Sequence, residues 1–165
     1  MFAVRGLLTG LFGSRRRHQP SNDDYGRGLA ALERGDLEAA CRAFEAALAA
    51  AGTARARAQA FNKRGVAHAR AGRHPQARTD FEAALESEPR FAPALVNVGN
   101  LFLEEGRLPE AIASYEAATR SDDRYAPAYA NLGVAYRRLG RYGDAVRALR
   151  RATVLEISRG SPGRA

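Results

Sequence analysis

The sequence predicts an all-α protein, an α-solenoid of about four antiparallel helix pairs. Three observations predict it. One string of residue types recurs along the chain: a Gly, a second Gly seven residues on, an Ala five after that, a large apolar residue four further and an Ala three beyond. Prolines fall where the helices of such pairs begin, and the chain is rich in alanine, which favours helix over strand.

The first copy of the frame is Gly28, Gly35, Ala40, Phe44 and Ala47, and the second is Gly65, Gly72, Ala77, Phe81 and Ala84. A third runs Gly99, Gly106, Ala111, Tyr115 and Ala118, and a fourth Gly133, Gly140, Ala145, Leu149 and Ala152. The period is 34 residues from Gly72 to Gly106 and again to Gly140, but 37 between the first two copies, which places about three extra residues in the Ala50–Thr53 connection. The first Gly and the Ala are expected on facing helices, where backbones approach closely and only small side chains fit. The second Gly is expected just past the helix, in the left-handed conformation that turns the chain. Large residues plug the holes between helices: Phe61, Leu95 and Tyr129, then His68, Phe102 and Tyr136, then Phe81, Tyr115 and Leu149. Pro75 and Pro109 open the second helix of a pair, Pro93 and Pro127 the first, and Pro89 breaks the chain between pairs.

These residues carry a resemblance. Leu95-x2-Val98-Gly99-x2-Phe102 with Ala111, Tyr129-x2-Leu132-Gly133-x2-Tyr136 with Ala145, and Phe61-Asn62-Lys63-Arg64-Gly65 are similar to the tetratricopeptide repeat. The first copy departs from the pattern at Asp24, Arg27 and Ala31, as a terminal cap facing water can. The resemblance implies a right-handed solenoid over residues 21–157, divided at about 21–54, 58–91, 92–125 and 126–157, between an N-terminal amphipathic and basic segment with its linker, 1–20, and a disordered tail, 158–165.

What the resemblance implies is a surface, not a reaction. The first helices of the pairs would line a concave groove for an extended peptide or a partner helix. From the frame its residues are Asn62, Lys63, Val66, Arg70, Val96, Asn97, Asn100, Asn131, Val134, Arg137 and Arg138, with Asn22, Tyr25, Leu29, Leu103 and Ala130 beside them. Asn97 and Asn131 are equivalent positions, expected to face solvent in the free chain and to hold a peptide backbone, because an amide both donates and accepts. Some family members instead clamp the C-terminal carboxylate of chaperones with paired cations. Tyr25, Leu29, Lys63, Pro93 and Asn97 occupy the clamp positions here, and moving one repeat along gives Asn62, Val66, Asn97, Pro127 and Asn131. Neither register supplies the cations.

Charge separates the ends from the body. The net charge is +8, yet residues 21–158 hold 20 basic and 18 acidic side chains, the excess coming mainly from Arg5, Arg15, Arg16, Arg17, Arg159 and Arg164. A uniformly basic nucleic-acid binder is not described by that distribution. Locally, the fourth repeat carries Arg137, Arg138, Arg141, Arg147, Arg150 and Arg151 against Asp144 and Glu156. It supplies the alternative reading, a nucleic-acid or phosphate binder, against which stand the shortage of groove aromatics and the tendency of charge runs to be solvated faces.

No catalytic constellation emerges, and no cofactor is expected. His68 sits at a packing position, His74 in a turn and His18 in the N-terminal segment, so no His or Cys pair has metal-binding helical spacing. Cys41 is read as a small core residue with no His neighbouring it in the repeat frame. The single Cys excludes an intramolecular disulfide, and a cytoplasmic location is expected.

The two ends complete the expectations. In Met1–Gly13 a helix would place Val4, Leu7, Leu8 and Leu11 on one face, ahead of Arg15–Arg17. Residues 1–17 read as an interfacial helix making peripheral contact with anionic membrane, as an Arg-rich organelle-targeting segment, or as a docking helix or plain tail. At the other end, Ser158-Arg-Gly-Ser-Pro-Gly-Arg-Ala165 does not form a capping helix, so Val146, Leu149, Val154 and Leu155 are expected to be left partly uncovered. Self-association through that face follows as an expectation, with an acidic first repeat and a basic fourth repeat complementary in sign.

Overall fold

The computed structural model describes residues 22–160, and every element among them is an α-helix. They are α1 (Asn22–Arg34), α2 (Leu37–Ala50), α3 (Ala54–Arg70), α4 (His74–Ser87), α5 (Ala92–Glu104), α6 (Leu108–Ser121), α7 (Ala126–Arg138) and α8 (Tyr142–Gly160). Each odd helix packs on the even helix that follows it, and each even helix also packs on the next odd one. Neighbouring odd helices touch as well, so α1, α3, α5 and α7 form one layer of the stack. The readings for residues 1–17 lie outside the described residues. α8 runs on to Gly160, past the boundary at 157 expected for the last repeat, and residues 161–165 lie outside the described residues.

Each turn inside a pair is the same device. Gly35, Gly72, Gly106 and Gly140 have φ of 77°, 72°, 75° and 78°, the left-handed conformation that lets a helix end and reverse. Around Gly106, its own N–H bonds to Leu103 O at 3.3 Å and the Arg107 N–H to Phe102 O at 2.8 Å, satisfying two of the last carbonyls of α5. The next residue then locks the turn from outside: the Arg107 guanidinium lies 4.5 Å over the Phe102 ring and that of Arg141 lies 4.4 Å over Tyr136. Arg73, at the same position, donates to His68 Nδ1 at 2.9 Å. The first turn lacks the clamp and uses Asp36 instead, whose carboxylate accepts the Ala39 N–H at 3.0 Å and caps α2.

The extra residues between the first two repeats are not in the connection. α3 has 17 residues against 13 in α5 and α7, and absorbs them as helix. Thr53 makes that possible by accepting the Ala56 N–H at 3.1 Å, whereas α5 and α7 start at a proline in their first turn.

Between the helices of a pair, a ring lies directly on a glycine. A Cβ added to Gly28 would stand 2.5 Å from the Phe44 ring, one on Gly65 2.6 Å from Phe81, and one on Gly99 2.5 Å from Tyr115. Those rings are the largest fully buried apolar side chains, each contributing about 1.5–3 kcal/mol by burial. In the fourth pair Leu149 stands where the ring does, 2.6 Å from the same imagined atom on Gly133. Alanines fill the remaining tight places: Ala40, Ala77, Ala84, Ala111 and Ala118 have no exposed surface.

Gly26 offers a contrast, because nothing lies within 4 Å of a Cβ there and α1 is otherwise regular. Gly26→Ala is expected to raise stability by about 0.5–1 kcal/mol. Gly99→Ala is expected to lower it by about 1–3 kcal/mol, because Tyr115 has no room to withdraw. Urea unfolding of the two variants checks both signs, and destabilisation by both, or by neither, contradicts the packing described.

Candidate peptide-binding face

The odd helices are joined across the layer by their own amides. Asn97 of α5 donates from Nδ2 to Oδ1 of Asn62 on α3 at 2.8 Å, and Asn131 of α7 donates from Nδ2 to Oδ1 of Asn100 on α5 at 2.9 Å. Asn100 Oδ1 also receives the Tyr115 hydroxyl at 2.8 Å, so both of its lone pairs are used. Burial pushes the Tyr115 hydroxyl up to about 12, which keeps it a neutral donor. The ring that packs on Gly99 therefore also orients the asparagine beside it.

Asn97 and Asn131 do not stand free in solvent, as the sequence led one to expect. They are half-buried and tied to the preceding repeat, while each keeps its Oδ1 and its second N–H without a protein partner among the described residues. Asn62, at 4% exposure, and Val96, at 5%, are buried rather than surface-lining. Val96 belongs to the core formed with Tyr115 and Leu132, and Val66 packs partly against Phe81 and Leu101. Lys63, Asn100 and Val134 are half-buried, and Arg70, Arg137 and Arg138 are more open to solvent. Arg70 donates to Leu32 O at 3.0 Å and so is partly committed to the repeat before it.

Five of these positions meet at one recess. A hollow of about 370 Å³ is lined by Asn62, Lys63, Val66, Asn97 and Tyr25, together with Arg55, Gln59, Phe91, Pro93 and Tyr125. Phe91 and Tyr125 were not singled out from the sequence, although they stand 34 residues apart ahead of α5 and α7. Arg55, also missed, lies 4.9 Å over the Phe91 ring and pairs with Glu88. The lining thus mixes apolar groups, Val66, Phe91 and Pro93 among them, with the amides of Gln59, Asn62 and Asn97, and Lys63 is its unpaired cation among the described residues. A larger recess of about 520 Å³ lies between α4 and α5. There Arg78 pairs with Glu105, and His74 Nδ1 lies 3.6 Å from Glu104 Oε2.

Sequence models described as tetratricopeptide or TPR repeats match residues 25–94, 99–140 and 126–157, leaving only 95–98 unmatched between the first and last of them. The chain belongs to the tetratricopeptide-repeat family. Among solved structures this repeat protein is similar to MamA, at 20% identity and a TM-score of 0.67, over 84% of this chain and 79% of that one. It is similar to PilF of Pseudomonas aeruginosa at 24% identity and 0.72, over 81% and 60%. YrrB, whose structure is described as "a TPR protein with an unusual peptide-binding site", matches at 25% identity and 0.60, over 80% and 66%. The chain thus spans less than two thirds of the PilF and YrrB chains. No curated protein sequence matches it significantly.

Away from the recess, the repeat protein holds a polar cluster between its first two repeats. His68 is brought to Cys41, against the expectation that no His neighbours that thiol: Sγ lies 3.8 Å from His68 Nδ1 and receives Arg73 Nη2 at 3.5 Å. The frame hides this because Cys41 and His68 belong to different repeats, on α2 and α3. The opposite imidazole nitrogen faces Asp80 Oδ2 at 3.7 Å, and Asp80, buried, is held by Arg64 through Nε and Nη2 at 2.7–3.2 Å. Because His68 Nδ1 already accepts from Arg73, it does not draw a proton from Cys41, and burial pushes the thiol up rather than down. This is a neutral structural cluster and not an activated nucleophile. Among the described residues no three His, Cys, Asp or Glu side chains are grouped to hold a metal ion, and no helix is long and apolar enough to cross a membrane.

The cluster gives stability a pH dependence. Burial lowers the His68 imidazole below its ordinary value, outweighing Asp80, while Arg73 and Arg64 lower it further and Glu38 raises it. The unfolded chain therefore takes up the proton first, so the contribution is complete above about pH 6.5 and is lost as pH falls below it. Between about pH 7.5 and 5.5 the urea midpoint of the parent chain is expected to drop further than that of His68→Gln, and parallel drops would show that His68 does not couple folding to pH.

Proposed function

We propose that this chain is a non-enzymatic protein-interaction scaffold whose odd helices receive an extended peptide. The observation that carries the reading is the amide row. Asn97 and Asn131, one repeat apart, are held by Asn62 and Asn100 with an acceptor and a donor left over on each, the complement of a peptide backbone. Their orientation is fixed before any ligand arrives, so less conformational freedom is lost on binding. The recess beside Asn97 adds Tyr25, Val66 and Tyr125 for an apolar side chain, and Lys63 for an acidic group. The peptide-binding site named for YrrB, similar in fold and at 25% identity, supports a peptide as the ligand class.

A peptide selected from a random display library on the full chain provides the probe, and ¹⁵N-labelled chain the readout. Titration is expected to move the side-chain amide signals of Asn97 and Asn131 and the backbone signals of α3, α5 and α7, with binding that depends weakly on salt. Changes confined to the even helices would remove the odd-helix face as the site. Affinity falling steeply with log salt would favour the phosphate-binding alternative.

A further inference from the structure

The last helix has two apolar faces, and the repeat shows what the second one is shaped for. Ala145, Ala148, Ala152 and Leu155 of α8 are buried, Leu155 at 7% despite its expected exposure. Beside that face runs a second strip, Tyr142, Val146 and Leu149 and then, past the exposed Thr153, Ile157; these four apolar residues are 68%, 49%, 38% and 63% exposed. One period earlier, Ile112 and Tyr115 hold the positions of Val146 and Leu149 and are 6% and 0% exposed, within the core that α7 completes with Ala128 and Leu132. Among the described residues nothing plays the part of α7 for α8. The strip is a seat for a helix of about the same length.

Charge decides which helix fits. Arg150 stands one turn from Val146 and two turns from Ile157, is exposed, and makes no ion pair among the described residues, whereas Arg147 pairs with Asp144; the exposed Glu156, two turns from Leu149, lies on the opposite edge. Inside the stack the same junction shows how such an arginine is met: Arg78, at the position of Val146 two repeats earlier, pairs with Glu105 at the end of the incoming α5. A second copy of the chain is a poor occupant. Its α8 would set arginine against arginine, and its α1 would bring the exposed charges of Asp23, Arg27 and Arg34, where α7 brings Ala128 and Leu132.

We propose that the outer strip of α8 is a second protein-binding site, distinct from the odd-helix face, that seats one amphipathic helix of a partner protein whose apolar stripe carries carboxylates along the edge that meets Arg150. The probes are two stapled helical peptides of about 14 residues with one Leu/Ala stripe, edged in one by Glu and in the other by Lys. Fluorescence anisotropy against the full chain is expected to show the Glu-edged peptide binding at least about tenfold tighter. Val146→Glu with Ile157→Glu, both at exposed positions, is expected to abolish that binding with melting unchanged, and Arg150→Glu to reverse the preference between the peptides. Equal binding of both peptides, or binding indifferent to these substitutions, overturns the proposal. So does sedimentation showing self-association, or flotation with phosphatidylserine vesicles, that is lost in Val146→Glu/Ile157→Glu, since either assigns the strip to another occupant.

Discussion

The contact of a ring with a bare helix backbone governs the rest of this structure. In three of four pairs an aromatic side chain of the even helix lies where the Cβ of an odd-helix residue would be, and only glycine leaves that space. The approach sets the spacing of the pair. It also sets what is built outward from it, because Tyr115 reaches past Gly99 to hold Asn100, which in turn holds Asn131. Packing in one layer and hydrogen bonding on the binding face are thus one network, with the glycine as the residue that cannot change alone.

Sequence made the repeating part legible and left the joints between repeats obscure. Gly72, Gly106 and Gly140, with their prolines and alanines, recur at one spacing because each does the same local job in every pair, and local jobs survive as a pattern. The asparagine bonds do not recur: Asn97 meets Asn62, one place after the packing residue Phe61, whereas Asn131 meets Asn100, five places after the equivalent Leu95. The Cys41–His68–Arg73 cluster likewise spans two repeats and occurs once among the described residues. Such features follow from which helix faces which, and spacing within a single repeat does not carry that information. The extra residues lie in α3 rather than in the Ala50–Thr53 connection for a related reason, since an insertion is as easily absorbed by a capped helix as by a loop.

The two ends of the stack are chemically unlike. At positions where later repeats bury Ala128 and Leu132, the first repeat carries Asp23 and Arg27, an exposed ion pair at 3.8 Å that tolerates water. At the other end α8 shows water Val146 and Leu149, where α6 buries Ile112 and Tyr115. A repeat architecture has no reason to treat its ends alike, because each end is a separate solution to covering the last helix.

The most direct test of the ring-on-glycine constraint is a double-mutant cycle between Gly99→Ala and Tyr115→Val, measured by urea unfolding. If the ring is what forbids a side chain at residue 99, the alanine should cost about 1–3 kcal/mol in the parent chain and little or nothing once the ring is gone, a coupling well above the few tenths expected of independent sites. Additive effects, with Gly99→Ala equally costly whether tyrosine or the smaller valine stands opposite, would contradict it.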